Sequence, residues 1–388
     1  MSTQIIEPID AAGAAAALGE ANSAGMSVVV RGAGTKFTPP PSDVLISTAK
    51  MTHGLDHVAG DLVATLPAGA PLDAVNELLR RERQWLPLDP PRSHRATIGG
   101  VIATNDSGPR RHRFGAPRDL IIGIEIALAD GRIAKAGGRV VKNVAGYDLS
   151  KLMCGSLGTL AVITRATFKL SPVAPFSQTL IATGSDLRRL STLALTLANT
   201  PPISPTAIEL QSLPHRLLVR FETTEGAAAT QTTIAATLCE QFGATTHVVT
   251  GAGEVDAWRA HEGRVFGMPG TVLKIAVLPT DVAEIVSTVD RLTSTAGVEC
   301  AVSGRVALGI ILVRLAGDPA AYRPIVSEIR RAAIAGGGSA VVVSSATDGA
   351  ITPSDRWGPI GDAKPVMRAV KARFDPHHIL NATLAPWD

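Results

Sequence analysis

The residues best suited to chemistry in this chain are small ones. Thr97-Ile98-Gly99-Gly100-Val101-Ile102-Ala103-Thr104-Asn105-Asp106-Ser107-Gly108 gathers paired glycines, short hydroxyls and an amide into one stretch. Without a Cβ, backbone can press against a large flat or phosphorylated ligand. The hydroxyls and the amide can then bond its polar atoms. Upstream, Arg31-Gly32-Ala33-Gly34-Thr35-Lys36 follows a predicted strand. Its freed N–H groups can form a nest for a pyrophosphate, with Thr35 adding a hydroxyl and Lys36 a charge. The spacing is not that of a Walker A loop, and the third glycine of a dinucleotide fingerprint is missing. Downstream lie Gly146-Tyr147-Asp148-Leu149 and Gly155-Ser156-Leu157-Gly158-Thr159-Leu160-Ala161-Val162-Ile163-Thr164. Each segment alone could be a tight turn, and Tyr147 and Asp148 could simply brace the fold.

Other chemistries find little support. Cys154, Cys239 and Cys300 are scattered, which argues against a thiolate metal site, an iron–sulfur cluster or a disulfide framework. His377-His378 is the only adjacent histidine pair, and neighbours on a turn seldom share an ion, so no metal site is expected. A net charge of +3 without a long basic run does not suggest nucleic-acid binding. Arg110-Arg111-His112-Arg113 reads as a solvated loop or a docking segment for a partner.

The elements that must position these segments follow from pattern. At 388 residues and 45% hydrophobic, the chain can bury the cores of two or three domains. A helix is predicted over 11–24, with strands over 26–30, 44–46 and 62–66. A helix over 71–83 buries Leu72, Val75, Leu78 and Leu79. Strands follow at 120–129 and 132–134, a short helix at 148–153 and a strand at 159–170. Pro172-Val173-Ala174-Pro175 marks a boundary. Beyond it, strands at 178–182, 217–221, 246–250, 272–277, 298–302, 309–315 and 340–343 alternate with helices at 186–198, 227–242, 254–266, 281–294 and 320–335. The expectation is one sheet with helices on one side, with no internal repeat of fixed period. A polar stretch over 344–361 precedes a last helix over 365–373.

The three small-residue segments, in this order, resemble the flavin-binding domain of the vanillyl-alcohol-oxidase/p-cresol-methylhydroxylase (PCMH) family. The resemblance covers residues 1–172, including the approach Pro87-Leu88-Asp89-Pro90-Pro91. It returns at Phe374-Asp375-Pro376-His377-His378-Ile379-Leu380-Asn381, similar to the family's F-D-P-x-x-I/L-N-P-G. It implies an α+β chain: a two-subdomain PCMH-type FAD-binding domain (1–172), an α+β cap domain with an antiparallel sheet (173–345), and a segment returning to the FAD domain (346–388). It assigns to FAD the turn Arg31, Gly32, Ala33, Gly34, Thr35 and Lys36, then Pro87. It adds Thr97, Ile98, Gly99, Gly100, Ala103, Thr104, Asn105, Ser107 and Gly108, and finally Tyr147, Gly158, Val162 and Asn381. A branched side chain at Gly99 is expected to block cofactor approach. Leu157 and Ala161 depart from the family's usual Glu and Gly. No His stands in the first turn and His94 reads as a loop residue, so the FAD is expected to be non-covalent.

Within the family, Gly108 to Asp119 and Gly138 to Asp148 are most similar to the E-type subunits of bacterial glycolate oxidases. These imply as partners a catalytic flavin subunit and an iron–sulfur subunit. The H-x-G-D-G-N-x-H signature of the family's catalytic hydroxy-acid dehydrogenases is absent where Val302 to Ile310 stands. Of the family's carboxylate clamp, Trp258, Arg259, His261 and Lys274 are candidates. The resemblance therefore implies a subunit contributing to oxidation of glycolate to glyoxylate by flavin electron relay. The alternatives are a self-sufficient FAD-dependent 2-hydroxy-acid dehydrogenase and a scaffold with a vestigial flavin fold. Without a signal sequence or an apolar run of about 18–20 residues, the expected location is cytoplasmic, at the inner face of the membrane through partners.

Overall fold

The computed structural model describes residues 3–36, 41–139, 146–345, 353–381 and 384. The expectations at Val140 to Ala145, and part of the polar stretch after Ser345, lie outside the described residues. Packing divides the chain into two compact units. Unit 1 is Met1–Gly108, Phe114–Val173 and Pro359–Asp388; unit 2 is Pro109–Arg113 and Ala174–Gly358.

Unit 1 opens with β1 (Gln4–Ile6), α1 (Ala11–Ser23), β2 (Val28–Arg31) and β3 (Val44–Ser47). Asp10 caps α1 by accepting from Gly13 N, and Ala14, Leu18 and Ala21 are buried on its inner face. The three strands form a parallel sheet in the order β1-β3-β2. β4 (Asp56–Val58), β5 (Val63–Pro67), α2 (Leu72–Leu79), β6 (Gln84–Trp85), α3 (Ile98–Thr104), then α4 (Arg111–Phe114), which belongs to unit 2 except for Phe114, and α5 (Pro117–Leu120) follow. Then come β7 (Ile121–Ala127), β8 (Ile133–Gly137), α6 (Leu149–Met153), β9 (Val162–Lys169) and β10 (Ser171–Pro172). A five-stranded antiparallel sheet runs β4-β5-β9-β7-β8. α2 stops at Leu79 rather than at 83, because Arg80 to Glu82 tighten into a 3₁₀ turn and Arg83 turns left-handed at φ 55°.

Unit 2 contains β11 (Phe176–Thr183), α7 (Leu187–Asn199), β12 (Ala207–Gln211), β13 (Arg216–Thr223), α8 (Glu225–Gln241) and β14 (Thr245–Thr250). After α9 (Gly251–Phe266) come β15 (Thr271–Ala276), α10 (Val282–Ala296), β16 (Glu299–Arg305), β17 (Ile310–Ala316), α11 (Tyr322–Ala335), β18 (Ser339–Ser344) and α12 (Pro353–Trp357). All eight strands join one antiparallel sheet, β14-β11-β13-β12-β16-β17-β15-β18. Each half is a β-α-β-β-α-β unit with the same strand order, and β12 pairs with β16 where the halves meet. The topology therefore repeats although the sequence shows no fixed period.

Alternate residues along each strand separate two faces. Leu180, Leu217, Val219, Leu273 and Val313 pack with α7, α8, α10 and α11 in the large core. Ile181 and Leu218 point the other way and meet Trp258 of α9. One helix thus covers the face that the sequence reading left bare. The unit runs on to Gly358 because Arg330 Nη2 donates to the carbonyls of Asp355 and Arg356, tying α12 to α11. The closing helix α13 (Ala363–Phe374) belongs to unit 1.

Candidate cofactor site

The stretch expected as a loop contains a helix. Thr97 caps α3, its Oγ1 accepting from Gly100 N at 3.4 Å, and Asn105 ends the helix in the left-handed region. Two glycines lower helix propensity, but packing decides. Ile98, Val101 and Ile102 are buried in the core of unit 1, where each side chain contributes about 1.5–3 kcal/mol. Gly100, Ala103 and Thr104 lie on the opposite stripe, facing a cleft. The first amides of α3 are spent locally: Ile98 N donates to Ala70 O and Gly99 N to Ala68 O.

This cleft lies within unit 1. Its walls bring the three segments together. Arg31, Gly32, Ala33, Gly34, Thr35 and Lys36 form one wall, and Thr97, Gly99, Gly100, Ala103 and Thr104 a second. Leu157, Gly158, Ala161 and Ile163 form the third, and Val30 and Thr48 complete the lining. Val30, Thr48 and Ile163 were not assigned to FAD from sequence, and Leu157 and Ala161 were noted only as departures from the family's pattern.

Several expected contacts fall elsewhere. Val162 is buried against the small parallel sheet and α1, so its neighbours Ala161 and Ile163 face the cleft instead. Ile98 is a core residue. Tyr147 is 92% exposed and lies outside the cleft lining. Asp148 caps α6 through Lys151 N. Pro87, Asn105, Ser107 and Gly108 are outside the lining. Gly108 is required by a close approach: a Cβ there would come within 1.7 Å of Asp89 O. Asn381 is consumed by Val30 N and Leu157 O. At Gly99 a Cβ would project onto Ala68, 2.9 Å from its Cβ, so a branched residue there would disturb packing on Ala68.

The residues present fit a dinucleotide. Among the described residues Ala33, Gly34 and Thr35 donate no backbone hydrogen bond, which leaves a run of N–H groups at the cleft for phosphate oxygens. Gly34 holds φ +67°, the turn that a nest requires. Lys36 does not stand free: it pairs with Asp106 and donates to Pro91 O, tying the first turn to the second segment. Arg92 donates to Thr35 O and holds the turn from outside. The lining contains neither His nor Cys.

A second polar cluster lies in unit 2. Glu254, Trp258, His261 and Val265 recur at three- and four-residue spacing and bury one face of α9. Glu254 accepts from Ser177, Thr179 and Arg220, and Arg220 lies over the Trp258 ring at 4.2 Å. His261 Nε2 meets Glu209 at 3.0 Å, and its Nδ1 meets Gln211 at 2.9 Å. Arg305 approaches the other Glu209 oxygen at 3.3 Å. Arg259, by contrast, is exposed and pairs with Asp256. Among the described residues no group of three or more His, Cys, Asp or Glu could hold a metal.

The basic segment 110–113 belongs to this unit. Arg110 forks onto Glu222 through Nε and Nη2 at 3.0 and 2.7 Å, and Arg113 donates to Ser204. Burial alone would raise the Glu222 carboxyl; the hydrogen bonds and charge of Arg110, with that of Arg220, outweigh it and hold it below the ordinary range. Burial pushes the Cys154 and Cys239 thiols up to about 12 and raises Cys300 as well.

Residues 2–137 match the protein family described as FAD binding domain. A D-lactate dehydrogenase of Archaeoglobus fulgidus is 38% identical over 172 residues, 43% of this chain and 38% of that protein. Glycolate oxidase subunit GlcD of Bacillus subtilis is 35% identical over 40% of this chain and 34% of its own length. Glycolate oxidase subunit GlcE of Escherichia coli is 43% identical over 113 residues, 29% of this chain and 32% of that subunit. The matched part thus spans less than two fifths of each relative. A solved structure of alkyldihydroxyacetonephosphate synthase overlays with a TM-score of 0.72 at 15% identity, over 97% of this chain and 76% of that one. At that identity the likeness concerns the fold. The chain carries an FAD binding domain, its cofactor is FAD, and its fold is of the PCMH type.

Proposed function

We propose that this chain is the E-type flavin subunit of a glycolate oxidase-like complex, an FAD-dependent oxidoreductase. It holds FAD without a covalent link and relays electrons drawn from glycolate as glyoxylate forms. The bound flavin supplies the redox chemistry; the chain's residues bind it, orient it and shape its surroundings. The observation that carries the reading is a contrast. The cofactor cleft keeps unspent N–H donors, whereas the clamp candidates of unit 2 are committed: His261 to Glu209 and Gln211, Arg259 to Asp256, and Trp258 Nε1 to Thr179. The similarity to GlcE supports the subunit type. A catalytic flavin subunit and an iron–sulfur subunit are the proposed partners, at the inner face of the cell membrane. Among the described residues no helix is long and apolar enough to cross a membrane.

The similarity to a D-lactate dehydrogenase favours a second reading, a self-sufficient 2-hydroxy-acid dehydrogenase. The purified chain separates the two. We expect a yellow protein whose flavin absorbance is not bleached by glycolate or D-lactate. Anaerobic bleaching by either, with this chain alone, establishes the second reading and removes the first.

A further inference from the structure

We propose that Asn381 and the buried Lys371–Asp375 pair form a clasp that sets the width of the FAD cleft, so that seating of residues 375–381 and binding of FAD strengthen each other. Asn381 is 1% exposed and bridges two cleft walls. Its Oδ1 accepts from Val30 N at 2.8 Å, and its Nδ2 donates to Leu157 O at 2.6 Å. Val30 precedes the glycine turn, and both Val30 and Leu157 line the cleft. Gly158 sits between them, where a Cβ would come 2.8 Å from Asn381 Nδ2 and 3.4 Å from Val30 Cβ. The span between the walls is therefore one Asn side chain.

Lys371 holds that side chain in place. Its ammonium is 1% exposed, donates to Thr159 O and Leu380 O, and pairs with Asp375. Asp375 in turn accepts from Ile379 N and Leu380 N, closing the turn that presents Asn381. Val28 N donates to Ile379 O and Asn381 N to Val28 O, so the segment adds a short bridge beside β2. Breaking a buried pair by removing one partner strands the other charge. Neither Lys371 nor Asn381 lines the cleft, so both are positioning residues.

Coupling between two binding events is reciprocal. Whatever factor the seated segment adds to FAD affinity, FAD returns to the segment. Fluorescence titration with FAD of wild type, N381A, N381D and K371M tests one direction. Asn381→Asp keeps the acceptor for Val30 and loses the donor to Leu157. We expect the Kd to rise about tenfold in N381A, equivalent to about 1.4 kcal/mol, with a smaller rise in N381D. Hydrogen exchange of the Ile379, Leu380 and Asn381 amides in wild type tests the other: FAD slows them by a similar factor and leaves the β13 amides unchanged. A purely structural strut lowers the melting temperature of the FAD-free variants and leaves Kd at the wild-type value, which overturns the clasp. Equal exchange of the 379–381 amides with and without FAD overturns it too, even if no variant folds. A wild-type chain that takes up no FAD removes the cofactor assignment and the clasp together.

Discussion

At the scale of single residues, the cleft is built on close approaches that tolerate no added atom. A Cβ on Gly32 would lie 2.3 Å from Thr97 Oγ1, the same oxygen that caps α3. Gly32→Ala therefore forces the first turn and α3 apart. We expect FAD affinity to fall at least about tenfold, with about 1–3 kcal/mol of overpacking strain. Titration and melting of the variant check both. Gly60→Ala is the matched control, because a Cβ there meets nothing within 4 Å; unchanged affinity in G32A alongside it would show that the two walls do not need their present spacing. The residues legible in the sequence that also line the cleft include those where backbone matters most, Gly32 to Thr35 and Gly100. On β9 the Val162 side chain faces the small sheet while Ala161 and Ile163 line the cleft; the expected contact near Val162 is one of backbone.

At the scale of elements, the misses share a cause: tertiary packing overrode local propensity. α3 carries two glycines and so read as loop, yet it is held by Ile98, Val101 and Ile102 in the core. β12 was missed because Ala-Ile-Glu-Leu-Gln is short and buries its charged residue: Glu209 is 1% exposed, bonded through one oxygen to His261 of α9 and ion-paired through the other with Arg305 of β16. No local pattern announces a carboxylate whose partners come from elsewhere in the chain. Most other strands and helices were legible from periodicity and lie within a few residues of their expected ends. The same buried layer sets a pH dependence. Burial holds the pKa of His112 below 6.5, against an upward pull from Glu209 and with a further downward push from Arg113. Its Nδ1 is buried without a hydrogen-bond partner among the described residues. The folded unit thus keeps His112 neutral, while the unfolded chain takes up a proton near 6.5. Stability is full above that pH, falls as pH drops through it, and levels off below the lowered folded value. His112→Gln should flatten the melting-temperature profile on the acid side of about 6.5; a profile as steep as wild type would place the titration on another group.

At the scale of the whole molecule, each unit has its own core. The chain leaves unit 1 after Gly108 and returns at Phe114, so the stretch that ends the cofactor-binding segment is followed at once by the Arg110–Glu222 fork. Calorimetry should show two transitions, of which FAD raises only the one belonging to unit 1. The gain is about 2.7 kcal/mol at a hundredfold excess over Kd. One transition that shifts as a whole would mean that the two cores melt together. The thiols provide a separate gauge of the same behaviour. Burial keeps Cys154 and Cys239 protonated far above neutral pH and raises Cys300 too, and a protonated thiol is a poor target for peroxide or alkylating reagents. Any peroxide made when a reduced flavin meets oxygen would find no ready thiolate on this chain. Because Cys239 is buried in unit 2 while Cys154 in unit 1 and Cys300 in unit 2 are half-buried, the rate at which Cys239 is labelled times the opening of unit 2, giving the protein an internal clock without any added probe.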